Sequence, residues 1–436
     1  MGSLVENKCN ILARKGFVMK KILIGLLFLT VSLIAQDGDL DTAFGANGVV
    51  TYSGDYFFGL FVQPDGKSVA LANGHLVRYL GDGSLDNSFG TNGVVTTGPM
   101  LSNEVIVLSD GSIITVGTIS NNVLIQKYLS NGVLDTSFGS NGVISQNIDG
   151  LDRGFALAAQ KDGKILVGAY RSGGSASILM RYTASGQLDT TFAGTGIVSP
   201  YVGGAVDSIR VRPDGKILAA GEGLDGGTAN FKCVRYLPDG TKDITFGTNG
   251  VATVSVAADE IFNQIVLHPN GSIFAVGYGQ SSGNCDVKVV KLQSDGQVDT
   301  SFGVNGIATV DLDGQGCDLF SGDDEAYAIV LQPDGKIVVA GRDGNHDSSL
   351  KLIRLLPDGT LDQSFGIGGI VSTDVTASGD AVRAIRVQSD GKIIVAGLIL
   401  NFMGGALARY VVDSVIVSPF VRDLRAKYSL VQTSIS

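Results

Sequence analysis

Two recurring signatures constrain this chain more than its composition does. One copy reads AYAIVLQPDGKIVVAG over Ala326–Gly341, then a polar loop, then LKLIRLLPDGTLDQSFGIGGI to Ile370. Its signature phenylalanine recurs as Phe44, Phe89, Phe138, Phe192, Phe246, Phe302 and Phe365, at spacings of 45 to 63 residues. The turn glycine recurs as Gly66, Gly111, Gly163, Gly215, Gly271, Gly335 and Gly391. Both series have seven members. A recurrence of this length marks a repeat architecture, in which each unit buries its apolar face only against its neighbours.

Four strand-like runs fall in each repeat, here called A to D. In the copy above they are Ala326–Gln332, Lys336–Gly341, Leu350–Leu355 and Gly369–Thr373. Asp-Gly between apolar, β-branched runs signals a tight hairpin, as at Pro64-Asp65-Gly66, Pro213-Asp214-Gly215 and Ser389-Asp390-Gly391. Hairpins of this kind rank a parallel β-helix well behind radially packed four-stranded blades. The ends agree. Gly48–Tyr52 is a D run with no A, B or C before it. The last repeat has A (Ala381–Val387), B (Lys392–Gly397) and C (Ala406–Tyr410) with no D after it. The expected fold is all-β: a seven-bladed β-propeller of four-stranded antiparallel blades, closed by the N-terminal strand pairing with the last blade.

The LDxxFG signature between C and D reads as structural. Its Asp can cap exposed backbone N–H groups, and its Phe fills the wedge between neighbouring sheets. The strand-C cations Arg78, Arg181, Arg235, Arg354 and Arg409 are expected to pair with these carboxylates rather than to bind phosphate.

Repeats of the form QPDGKIVVAG…RLLPDGTLDQSFG resemble the delta-60 repeat, a bacterial module regarded as β-propeller-like. The resemblance covers about residues 37 to 410. Ala193, where the other copies have Gly after Phe, and the turn Leu-Ser-Asp-Gly-Ser of the second repeat depart from it. The resemblance implies fold and export, and no catalytic residues.

Charge and ends bound the partners. The first 35 residues hold 5 Lys/Arg against 1 Glu, leaving 27 basic and 41 acidic residues, −14, in the remainder. That balance disfavours nucleic acid and anionic membranes. Lys20, Lys21, the apolar run Ile22–Ile34 and Ala35 read as a secretory signal that starts at Met19 and is too short to span a membrane. The expected division is 1–35 upstream residues and signal, 36–410 propeller and 411–436 tail. The tail, with Val417-Ser418-Pro419-Phe420 and Tyr428-Ser429-Leu430, is faintly similar to the opening of type IX secretion sorting domains. A secreted or cell-surface protein of a Gram-negative-type bacterium, monomeric and with no transmembrane segment in its mature form, is the expectation.

No phosphate loop, zinc spacing or catalytic signature is present in the sequence. His75, His268 and His346 sit in different repeats and read as turn residues. Cys285 and Cys317 are expected to pair, and Cys233 to be a free packed thiol. Uniform A–B and C–D turns set against variable B–C and D–A connections imply one template face and one diversified face. The latter includes Tyr170–Ser177, Glu222–Asn230, Tyr278–Asp286, Arg342–Ser349 and Asp311–Glu325. Acids at Asp55, Asp152, Glu260, Asp324 and Asp380 precede strand A, and the insertion Asp311–Asp318 groups acids around glycines. Asp311, Asp313, Asp318 and Asp324 are therefore candidate calcium ligands. The commonplace alternative is that these acids cap backbone in their own turns. No other cofactor is expected. The favoured function is an exported non-catalytic scaffold binding a protein, glycan or cation through its variable face. The alternative is a surface enzyme of lyase or hydrolase type at the central mouth, which convergent polar groups with a His would favour.

Overall fold

The computed structural model describes residues 36–412, apart from 99–100, 173–175, 202, 226, 256–257, 282–283, 313–323, 344–348, 376–378 and 400–403. The described residues form 28 strands and no helix, in seven four-stranded antiparallel sheets. The inner strands are β2 (Phe57–Val62), β6 (Leu101–Val107), β10 (Asp152–Ala159), β14 (Ser208–Val211), β18 (Ala258–Leu267), β22 (Glu325–Leu331) and β26 (Asp380–Val387). Each packs on the next and β26 packs on β2, so the seven form a closed ring. In the sixth blade, β22, β23 (Ile337–Arg342), β24 (Leu350–Leu355) and β25 (Ile370–Thr373) lie within one residue of the expected runs.

Closure is as expected. β1 (Val49–Tyr52) pairs antiparallel with β28 (Gly404–Tyr410), Val49 opposite Ala408 and Tyr52 opposite Gly405. It completes the sheet of β26, β27 (Ile393–Ile399) and β28. An inner ring of hydrophobic wedges holds the blades together. Phe246, for example, is buried among Leu218 and Phe231 of the fourth blade and Ile265 and Ile273 of the fifth. Ala193 takes the left-handed backbone (φ 50°) that Gly247 and Gly303 (φ 52°) take at the same place.

Two expected loops are ribbons instead. In β15 (Ile217–Asp225) and β16 (Thr228–Tyr236) the ladder continues to Asp225 opposite Thr228. In β19 (Ile273–Ser281) and β20 (Asn284–Leu292) it continues to Ser281 opposite Asn284. A chain leaving the sheet keeps its N–H and C=O groups paired by extending the ladder, which a polar composition does not reveal. Cys233 is free and buried, and burial pushes its thiol up to about 12. Cys317 and His346 fall outside the described residues, as do 1–35 and 413–436.

The signature Asp, the strand-C Arg and the hairpin Lys make one cluster in each of five blades, while Lys127 and Lys291 take the place of the Arg on Asp135 and Asp299 in the second and fifth. Asp243 accepts hydrogen bonds from Arg235 Nε (2.7 Å) and Lys216 Nζ (2.9 Å) on Oδ2, and from the Thr245 hydroxyl (2.6 Å) on Oδ1. Arg235 Nη1 then reaches the Ser294 carbonyl of the next blade (2.6 Å), and its guanidinium lies 4.6 Å from the Phe246 ring centroid. Arg78, Arg181 and Arg409 repeat the pattern on Asp86, Asp189 and Asp41. Arg354 binds both Asp362 and Asp37.

The carboxyls of Asp86, Asp189, Asp243 and Asp362 are held well below the usual range. Burial, the largest influence, pushes each up, but hydrogen bonds from the neighbouring hydroxyl, backbone N–H and Lys, with the Arg, outweigh it. A depressed carboxyl contributes stability above its unfolded value that is lost as pH falls toward its folded value. The melting temperature is therefore expected to fall steeply below about pH 4. The fall should be shallower in Asp243→Asn; equal slopes in the two proteins would assign the acid sensitivity to other groups.

Candidate functional site: the axial channel

In six blades the inner strand slips by one residue against strand B. The slips lie between Phe57 and Gly59, Ser102 and Glu104, Gly154 and Ala156, Phe262 and Gln264, Ala326 and Ala328, and Val382 and Ala384. A β-bulge of this kind leaves one residue unpaired and re-aims its side chain. With Asp207 at the same place in the fourth blade, the seven residues are Phe58, Asn103, Phe155, Asp207, Asn263, Tyr327 and Arg383. All seven are half-buried and line a single cavity of about 260 Å³ on the axis. In the fifth, sixth and seventh blades strand B places a glycine, Gly277, Gly341 or Gly397, opposite the bulge. A Cβ on Gly341 or Gly397 would stand 1.9 Å from the carbonyl oxygen of Glu325 or Ala381.

The next residue along the strand ties each blade to its successor where it is polar. Glu104 accepts from the Leu157 N–H (2.6 Å), Ser208 from Ile265 (3.2 Å) and Gln264 from Ile329 (2.8 Å). Asn103 and Asn263 donate from Nδ2 to the carbonyls of Gly154 (2.6 Å) and Ala326 (2.7 Å). The acceptor each asparagine has left is its Oδ1.

Charge inside the ring differs from charge on the rim. Among the described residues, Arg210, Arg383 and Arg386 form no salt bridge, whereas each strand-C arginine forms at least one. Burial raises the Glu104 carboxyl against the opposing charges of Arg210 and Arg386 and the Leu157 hydrogen bond. Burial also lowers all three arginines, Arg386 to about 10. Asp207 is pushed up to about 7, by burial first and then by the Glu222 carboxylate. The guanidinium carbon of Arg383 lies over the Tyr327 ring, 3.9 Å from its centroid, and the Arg383 Nε has no hydrogen-bond partner among the described residues. The opposite end of the fifth, sixth and seventh inner strands is apolar, lined by Val266, Val330, Val387, Pro269 and Pro333 around a cavity of about 410 Å³. The polar ring lies nearer the variable face, where the inner strands begin.

A family model described as a domain of unknown function (DUF5122) beta-propeller matches residues 63–89, 108–138, 160–192, 212–246, 268–302, 332–365 and 388–412, about half the chain. The chain belongs to the DUF5122 beta-propeller family. No curated protein sequence matches it. Solved structures similar to this DUF5122 propeller include the extracellular domain of a hybrid two component system from B. thetaiotaomicron. It is 13% identical with a TM-score of 0.46, over 86% of this chain and 40% of that one. Thus the chain spans well under half of that structure's length. Chaetomium thermophilum Sqt1, bound to the N-terminus of ribosomal protein L10, is 14% identical with a TM-score of 0.45, over 82% and 84% of the two chains. An alpha-L-arabinofuranosidase from Lactobacillus brevis is 9% identical with a TM-score of 0.34, over 59% and 90%.

The acids read from the DUF5122 sequence as a cation site are mostly engaged by backbone. Asp324 is buried and accepts from the Leu312 N–H (2.6 Å). Buried Asp152 and Asp380 accept from Ile148 and from Val375 in the same connection, and Asp55 from Tyr56. Where the D strand turns inward its N–H groups lose their ladder, and these carboxylates satisfy them. Asp311 is exposed, and Asp313 and Asp318 fall outside the described residues. Among the described residues no three His, Cys, Asp or Glu converge as a metal set. His75 and His268 are half-buried and bond within their own turns, away from the channel lining.

The channel ring escapes a reading by motifs, although the sequence holds a signal for it. Aligned on the hairpin, the seventh residue before its Asp (Asn270 in the fifth repeat) reads Phe, Asn, Phe, Asp, Asn, Tyr, Arg. Two residues later the same strands read only Leu, Val or Ile.

Proposed function

We propose that the chain is an exported, non-catalytic propeller of the delta-60 type that binds its ligand at the variable-face end of the axial channel. The observation that carries this is the channel ring: seven corresponding positions, six of them at a bulge, hold polar, charged or aromatic side chains and converge on one cavity. A position that served only folding would repeat, as the Leu/Val/Ile position beside it does. Rigid scaffolds concentrate recognition at such a mouth. No helix among the described residues is long and apolar enough to cross a membrane, which accords with export.

Screening the purified chain on glycan and peptide arrays tests the proposal. Bound ligands are expected to weaken by about ten-fold or more in Phe58→Ala and Tyr327→Ala. Ligands that bind both variants unchanged would move the site off the channel. One observation favours the enzymatic alternative. Asp207, with its carboxyl near 7 on the channel wall, is suited to general acid–base work at neutral pH. New products from array oligosaccharides that vanish in Asp207→Asn would establish that alternative.

A further inference from the structure

We propose that the channel is a receptor site for a hydroxylated carboxylic acid with the size and chemistry of a sugar acid, its carboxylate held by Arg383. The inference rests on the channel being the binding site and names what it takes.

The chain outside its first 35 residues is strongly acidic, yet the ring encloses three arginines that form no salt bridge among the described residues. Arg386 donates to the carbonyl of Ile385 (2.8 Å) and, like Arg210, faces the Glu104 carboxylate. Arg383 feels the Glu325 carboxylate without forming a salt bridge to it, and that carboxylate is already bonded by Arg342 and by the Tyr327 hydroxyl. Tyr327 covers one side of the Arg383 guanidinium, whose buried Nε has no hydrogen-bond partner among the described residues. A guanidinium edge is the planar fork that binds a carboxylate in two parallel hydrogen bonds. Leaving a buried N–H of this kind unmade is costly, and a ligand oxygen satisfies it.

The other ring residues define the ligand beyond its carboxylate. The Oδ1 atoms of Asn103 and Asn263 are acceptors, so the ligand must bring donors, which hydroxyl groups supply. In the order of the blades Arg383 stands between Tyr327 and Phe58, and Phe58 and Phe155 are half-buried on the cavity. These rings offer flat apolar faces to the C–H face of a sugar ring. A cavity of about 260 Å³ sits at the small end of ligand sites, which admits one or two sugar units. A phosphate ester fits less well, because Asp207 and Glu104 share the wall and oppose a second negative charge.

Isothermal titration of the full chain with glucuronate and digalacturonate, against glucose and acetate, tests the assignment. Saturable binding of at least one sugar acid is expected, with glucose and acetate about ten-fold weaker or worse. Arg383→Gln should weaken the sugar acid by about ten-fold or more and Arg383→Lys by less. Phe58→Asp adds a negative charge to the same cavity at a position outside the core and should weaken it comparably, so the test does not hang on one variant folding. Equal binding of glucose and glucuronate, sugar-acid binding unchanged in both variants, or no saturation by either acid up to about 10 mM would overturn the proposal. Array ligands lost in Tyr327→Ala but not displaced by sugar acids would end this inference while leaving the channel as the binding site. Array ligands indifferent to every channel variant would end both.

Discussion

Deleting residues 36–55 is expected to abolish the cooperative native transition at room temperature. The segment supplies β1, the whole outer strand of the last blade. It also supplies Phe44, buried against Phe57 and Leu60 of the first blade and Ile394 and Leu407 of the last. Asp41 is the carboxylate partner of Arg409 and Lys392, and Asp37 of the buried Arg354. Losing Phe44 alone, as Phe44→Ala, should cost about 3–5 kcal/mol. The strand pairing, Arg409 left without an acid and Arg354 left with Asp362 alone come on top of that. A domain has only about 5–15 kcal/mol in hand, so the deletion exceeds or matches the total and also exposes the edge of β28. Urea denaturation followed by circular dichroism is the measurement. A deleted chain that unfolds at the midpoint of the full chain would show that the ring does not depend on its closure. Phe44→Ala and Phe246→Ala should cost similar amounts if the closing interface is packed like an interior one.

The second large effect is expected at the interblade clamp. Asp243→Ala should cost about 3–5 kcal/mol, because it leaves Arg235 buried with no acid while Arg235 still spans to the next blade. The double variant Asp243→Leu with Arg235→Met should recover much of that loss, since it removes the stranded charge and fills the space. Asp299→Ala should cost clearly less. Lys291 and Asp299 are 17% and 18% exposed at the side chain, against 7% and 5% for Arg235 and Asp243, and water can take over what the partner loses. Equal costs at the two sites, read from urea midpoints, would place the energy in the aspartate's local turn rather than in the ion pair.

The candidate site is much less legible in the sequence than the fold. For the acids that precede strand A, spacing locates the residues but not their partners. Asp152, Asp324 and Asp380 look like ligands in a row until the orphaned N–H groups of Ile148, Leu312 and Val375 are seen to take them. The extended ribbons at Asp225–Thr228 and Ser281–Asn284 read as loops because glycine-rich polar runs look alike in and out of a ladder.

By itself the sequence determined the number of blades, the strands in each, the closing strand and the Asp–Arg–Phe clamp. Those are local or periodic: an Asp-Gly turn between apolar runs can form one hairpin, and seven copies of an aromatic wedge can close only as neighbours. What the tertiary structure decided was the direction of one residue per blade. Strict alternation places Asn263, Tyr327 and Arg383 on the same side as Ile265, Ile329 and Ile385, in the core. The bulge beside them, opposite Gly341 and Gly397 in the last two blades, turns them to the axis instead. A bulge depends on how two strands and the neighbouring blade pack together, and no single strand's pattern encodes it.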